Sequence, residues 1–146
     1  MNESKPIPPI NPDLAQRLKD IGFSQQEFEP KVGNRFIVKM EGIPSYVIKA
    51  VSLPRYYAPS KNWKNVMLTL YNPLLENLEE KLLNLDTDAL HTIIVHLLSP
   101  VGEVVTTWKI VAKLENIIFD TYDWSSKGES NLIRVDFGVT NVEVTH

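Results

Sequence analysis

The stretch that decides the fold is residues 116–139, "NIIFDTYDWSSKGESNLIRVDFGV", in which two apolar runs flank a polar knot. On the C-terminal side Ile133, Val135, Phe137 and Val139 share one face, the period of two that marks a half-buried strand. On the N-terminal side Ile117, Ile118 and Phe119 close a long aliphatic run. Between them crowd Asp120, Asp123, Ser125, Ser126, Glu129 and Ser130. Such a knot reads either as a chemical site or as the connection that lets two strands pair.

Spacing argues against calcium. An EF-hand loop needs oxygen ligands at positions 1, 3, 5 and 12 and a glycine at 6. With Asp120 first, the third position is Tyr122 and the twelfth is Asn131. A glycosidase pair needs two carboxylates facing across a cleft, which spacing within one loop does not supply. Ser, Gly, Asn and Asp favour turns because they bond their own backbone or tolerate left-handed angles. The knot is therefore expected to be a hairpin tip.

Working outward, "EVVTTWKIVAKLENIIF" (103–119) is long enough for two strands or one bent strand. Before it, Ser99-Pro100-Val101-Gly102 puts proline second and glycine fourth, which suits a type I turn. "LHTIIVHLL" (90–98) is apolar on both faces, as a central strand would be. Near the start of the β region, Phe36, Val38 and Met40 share one face, opposite Arg35, Ile37, Lys39 and Glu41. Residues 42–45 read as a turn and "YVIKAVSL" (46–53) as a second strand, so the two form a hairpin. "RYYAPSKN" (55–62) reads as a loop, and Val66, Leu68 and Leu70 as one face of the next strand. Asn72-Pro73 then opens an expected helix over residues 73–85, with Leu74, Leu75, Leu78, Leu82 and Leu85 as one core-facing stripe.

Residues 1–30 differ in character. The first twelve hold four of the ten prolines. Asn11 and Pro12 then start a short helix with Leu14, Leu18 and Ile21 at helical spacing, stopped by Gly22. Ser24 and Glu27 form a second capping signal, cut short by Pro30. The chain thus divides into an N-terminal arm with a helical extension (1–30) and a β domain (31–146). The expected fold is mainly β: a two-sheet β-sandwich or barrel of about seven strands with one flanking α-helix.

Composition narrows the function. The 146 residues fit one domain with a real core. A net charge of −3 argues against a nucleic-acid binder, which needs clustered lysine and arginine. The absence of cysteine excludes disulfides and thiolate metal sites and fits a reducing cytoplasm. No apolar run opens the chain as a secretion signal or approaches the roughly 20 residues of a membrane span, so no membrane partner is expected, and Asn2-Glu3-Ser4 is a chance glycosylation pattern.

Chemistry finds little support. His91 and His96 fall on opposite faces of a strand, and His146 is the last residue. No metal-ligand spacing, nucleophile elbow or phosphate-cradling glycine loop is present. No metal, cofactor or catalytic residue is expected, and the chain does not read as an enzyme. Tyr56, Tyr57 and Trp63 flank Arg55, Lys61 and Lys64, a set that suits base stacking, a protein contact or an ordinary loop. A small ligand-binding barrel or an enzyme would need a pocket with convergent polar groups, and no such set stands out.

From Gly33 onward the order of elements resembles the tail-tube family of contractile-tailed bacteriophages, whose fold is shared by tubes of related injection systems. Three pieces carry the resemblance: "NRFIVKMEGIPSYVIKAVSLP"; "WKNVMLTLYNP" and the helix after it; and "SPVGEVVTTWKIVAKLENIIFDTYDWSSKGESNLIRVDFGV". The resemblance covers roughly residues 33–145, about three-quarters of the chain. The resemblance implies a two-sheet barrel whose copies form a homohexameric ring, with rings stacked into a tube that passes DNA without binding it specifically. Its implied partners are itself, a sheath and a baseplate; its implied place is the virion tail, assembled in the host cytoplasm. Ring contacts of heterologous type close and also repeat along an axis, and closing strands around a ring removes free edges.

The family's longer insertion after the first hairpin is short here, at residues 54–62. Stacking then uses this loop and the arm, or the protein is a tube-initiating or terminating ring. On this reading Arg55, Tyr56, Tyr57 and Lys61 are candidates for contact with the next ring. Asp120, Asp123, Lys127 and Glu129 are candidates for a ring edge. Lys113, Glu115, Arg134 and Asp136 are candidates for the lumen or for subunit contacts.

Overall fold

The computed structural model describes residues 31, 33 and 35–146; the arm expected over 1–30 lies outside the described residues. The core begins with two strands whose inward residues meet in register. On β5 (Val66–Tyr71) Val66, Leu68 and Leu70 face Phe137, Val135 and Ile133 of β8 (Leu132–Thr145). All six are at most 1% exposed. Each such burial stabilises by about 1.5–3 kcal/mol, so this seam is a principal part of the core.

Strand β8 also pairs with β7 (Val104–Phe119), from Thr107 opposite Thr145 to Phe119 opposite Ile133. The region 103–119 is thus one strand, and it is bent. Register shifts at Val111/Ala112 and Leu114/Asn116 insert extra residues, which increase local twist and curl the sheet. The first half of β7 pairs with β6 (His91–Leu98) as well. The turn between them is closed by the Gly102 amide, which donates to the Ser99 carbonyl at 3.0 Å, with Gly102 at φ +86°.

The edge strands are β1 (Phe36–Met40), paired with β6, and β2 (Ile48–Ser52), paired with β5. The full order β1-β6-β7-β8-β5-β2 is antiparallel throughout and nearly closes into a barrel. A separate two-stranded sheet joins β3 (Tyr56–Tyr57) and β4 (Asn62–Trp63). Among the described residues the α-helix is α1 (Leu78–Leu83), which buries Leu78 and Leu82 against the barrel.

Three expectations need correction. First, β1 and β2 do not form a hairpin; they lie at opposite edges of the sheet. Ile43 and Val47 are 4% and 2% exposed, so burying them draws the connection across the core rather than back along β1. A tight turn, with the Ile43 amide on the Met40 carbonyl, and a 3-10 turn at Ser45–Val47 carry the chain over.

Second, the helix starts at Leu78, not Pro73. Asn77 caps it, its Oδ1 accepting from the Glu80 amide at 3.0 Å. Leu74 and Leu75 precede the cap and are 97% and 95% exposed, so they are not part of the core stripe. Third, the 55–62 segment is not a plain loop: its aromatic residues pair as the β3–β4 hairpin.

Candidate functional site

The candidate contact residues fall at the two ends of the barrel and on its outer face. At one end stands the β3–β4 hairpin. Its base is closed by the Lys64 amide, which donates to the Arg55 carbonyl at 2.8 Å, and Lys61 sits at the turn with φ +54°. Tyr56 packs on Trp63 at 4.8 Å between ring centroids, and Trp63 meets Trp108 of β7 edge-on at 6.0 Å. The Lys64 ammonium lies 5.3 Å from the centre of the Tyr57 ring, within cation–π range. This chain of rings fastens the hairpin to the barrel and leaves Arg55, Tyr56, Tyr57 and Lys61 all exposed along it, from base to turn. The structure thus brings these four sequence candidates together.

At the other end the polar knot connects β7 to β8, as a hairpin tip should. Asp120 holds its base: Arg134 Nη1 donates to Oδ1 at 2.6 Å and the Leu132 amide to Oδ2 at 2.9 Å. The Leu132 amide first, and Arg134 second, hold the Asp120 carboxyl below its usual range. Asp123 folds the tip, accepting from the amide and hydroxyl of Ser125, which lower its pKa as well. These acids therefore organise the loop, while Lys127 and Glu129 point to solvent on it.

Beside the knot opens a cleft of about 510 Å³, lined by Asn72, Leu74, Leu75, Glu76, Glu79 and Tyr122 among others. Glu79 accepts from the Asn72 side-chain amide at 3.0 Å, and that bond lowers its pKa. Glu76 pairs with Lys81 at 3.6 Å and accepts from the Tyr46 hydroxyl. The Tyr46 phenol is pushed up chiefly by that bond. Tyr122 and, further along the knot, Trp124 are 77% and 105% exposed. The cleft was not legible as a site because the helix was expected to bury its leucines. The Asn77-x-x-Glu80 capping signature was the signal that would have released them.

The outer face carries the remaining candidates. Arg134 is engaged with Asp120, and Lys113 sits exposed beside Gly138 in the β7–β8 register. Glu115 occupies the bulge of β7, and its carboxylate lies over Gly138, where any Cβ would meet it at 2.2 Å. The Asn65 amide, absent from the sequence candidates, bridges Glu115 at 2.8 Å and Asp136 at 3.0 Å. Exposed Ile37 and Ile118 share the outer face with these polar groups, opposite His96 and Arg134 in register.

Among the described residues no three histidine or carboxylate side chains gather as metal ligands, and no helix is long and apolar enough to cross a membrane. His91 bonds the Asp86 carbonyl at 2.8 Å and packs against buried Phe137. His96 bonds Thr107 at 2.9 Å. The polar groups serve loops and strand surfaces; what the arrangement offers is contact area at both ends and on one face.

No protein-family model matches the sequence, and no curated protein is similar to it. Solved structures do share its fold. A chain of an extracellular contractile injection system, from the PVC sheath-tube complex in its extended state, superposes with a TM-score of 0.60 at 19% identity. The match covers 80% of this chain and 91% of that one. A chain of the anti-feeding prophage cap, a tube-terminating cap, gives 0.60 at 17% identity over 80% and 91% of the two chains. One from the anti-feeding prophage baseplate gives 0.56 at 15% identity over 80% and 95%. The fold is therefore the tail-tube-like barrel found in contractile injection systems.

Proposed function

We propose that this chain is a structural subunit of a contractile tail or injection apparatus, whose copies form a ring that stacks into a tube. The observation that carries the reading is the fold shared with chains of sheath-tube, cap and baseplate assemblies over more than nine-tenths of their length. A hexameric ring is the expected closure, since the baseplate with this fold is 6-fold symmetrised. The sheath and baseplate of such an apparatus are the expected partners, and the tail itself the location. The lumen passes cargo, DNA where the tail belongs to a phage. A net charge of −3 suits a wall that does not hold phosphates. The chain acts by assembly, not by catalysis.

A second reading has its own support. The β3–β4 hairpin is only eight residues from Tyr56 to Trp63, and the same fold occurs in a tube-terminating cap and in a sheath/tube terminator. On that reading the protein is an end ring, which forms rings that do not polymerise alone. Electron microscopy of the purified chain at rising concentration tests both. Stacks of rings support the tube subunit, isolated rings the end ring, and a persistent monomer neither.

A further inference from the structure

The two ends of the barrel are chemically complementary. The hairpin end presents Arg55, Lys61 and Lys64 around two half-exposed tyrosines. The cleft end presents Leu74 and Leu75, which are almost fully exposed, beside Tyr122, Glu76 and Glu79. Bare leucines flanked by carboxylates match aromatic rings flanked by cations. A cleft of about 510 Å³ is also within the size range that takes a ring-sized group.

The two surfaces do not reach each other within one molecule. The hairpin is fastened at Trp108 and the knot begins beyond Phe119 of the same strand. At ~3.3 Å per residue the eight steps through β5, from Lys64 at the hairpin base to Asn72 in the cleft, separate the two surfaces by roughly 26 Å. Complementary surfaces at opposite ends of a molecule make a heterologous contact, the kind that repeats along an axis.

We propose that the β3–β4 hairpin of one copy docks in the Leu74, Leu75 and Tyr122 cleft of a second copy, with Arg55 and Lys61 meeting Glu76 and Glu79. This rests on the stacked-ring reading and names the surface that receives the hairpin. The leucines lose their exposure to the tyrosine rings, and the charge pairs set the direction of stacking. Glu79, held below its usual pKa by Asn72, stays ionised for this role.

The test is a charge swap in the full-length chain. Arg55→Glu with Lys61→Glu, and separately Glu76→Lys with Glu79→Lys, each lose stacks while keeping rings; all four together restore them. Stacks kept in both singly reversed proteins, or not restored in the combined one, overturn the docking. A second measurement uses an otherwise native surface, because the chain has no cysteine. Leu74→Cys and Tyr57→Cys proteins of different size are mixed and treated with a short bismaleimide. Crossed dimers exceeding both homodimers support the contact, and their absence from stacked rings overturns it. A wild-type chain with neither rings nor stacks overturns this contact and the ring reading together, whereas intact rings with failed swaps overturn the contact alone.

Discussion

Asp120 and Arg134 close the base of the β7–β8 loop, with Arg134 Nη1 2.6 Å from Asp120 Oδ1, while Oδ2 takes the Leu132 amide. Because the folded pKa of Asp120 is lowered, its contribution is present above the unfolded value of about 3.9 and is lost as pH falls through the folded one. Asp123 acts in the same sense. The protection factor of the Leu132 amide, its exchange rate relative to the intrinsic rate at each pH, should therefore be constant across neutral pH and fall only in acid. Asp120→Asn should exchange faster at neutral pH and show a flatter acid response. Unchanged exchange in that variant would show that the loop is held by other means.

Burial separates two classes of apolar residue. Phe137 is fully buried at the β5–β8 seam, so Phe137→Ala should cost about 3–5 kcal/mol in denaturant unfolding. Leu74→Ala and Leu75→Ala remove side chains that already face water, and should change stability by less than about 0.5 kcal/mol. Their effect should appear instead in self-association, measured by sedimentation against concentration.

Asn65 bridges Glu115 and Asp136, so removing its amide leaves two carboxylates facing each other. Asn65→Ala should lose about 0.5–1.5 kcal/mol, the ordinary worth of a hydrogen bond. Glu115→Gln should recover part of the loss by removing one charge. A double-mutant cycle in chemical denaturation measures the coupling, and strict additivity would contradict the bridge.

Local patterning carried much of the fold. The alternation in β5 and β8, the turn at residues 99–102 and the knot as a hairpin tip are all stated by neighbours in sequence, and the structure forms each of them. Of the failures, the first hairpin was non-local and the helix start was local. Gly42 and Pro44 advertise a hairpin, yet what decides the path is that Ile43 and Val47 have a core to enter, built from strands far along the chain. Leu74 and Leu75 fit a helical stripe, but the Asn77 cap sets the helix start after them. The candidate site divided the same way. Arg55, Tyr56, Tyr57 and Lys61 cluster because they are adjacent in sequence. Asn65 joins Glu115 and Asp136, 50 and 71 residues away, through strand pairing that no local pattern expresses.

Ionic strength should affect assembly more than folding. Contacts between exposed charges at the two ends are screened within about 8 Å at physiological salt, and more tightly above it. Stack length should fall with added salt while the unfolding midpoint of the subunit stays nearly constant. Equal sensitivity of both would argue against end-to-end charge pairing.

The most direct measurement is electron microscopy of the purified full-length chain across a concentration series, with mass by light scattering. Closed rings with a central channel that stack as concentration rises are the expected result. A monodisperse monomer at the highest concentration, with no ring in any field, would contradict it.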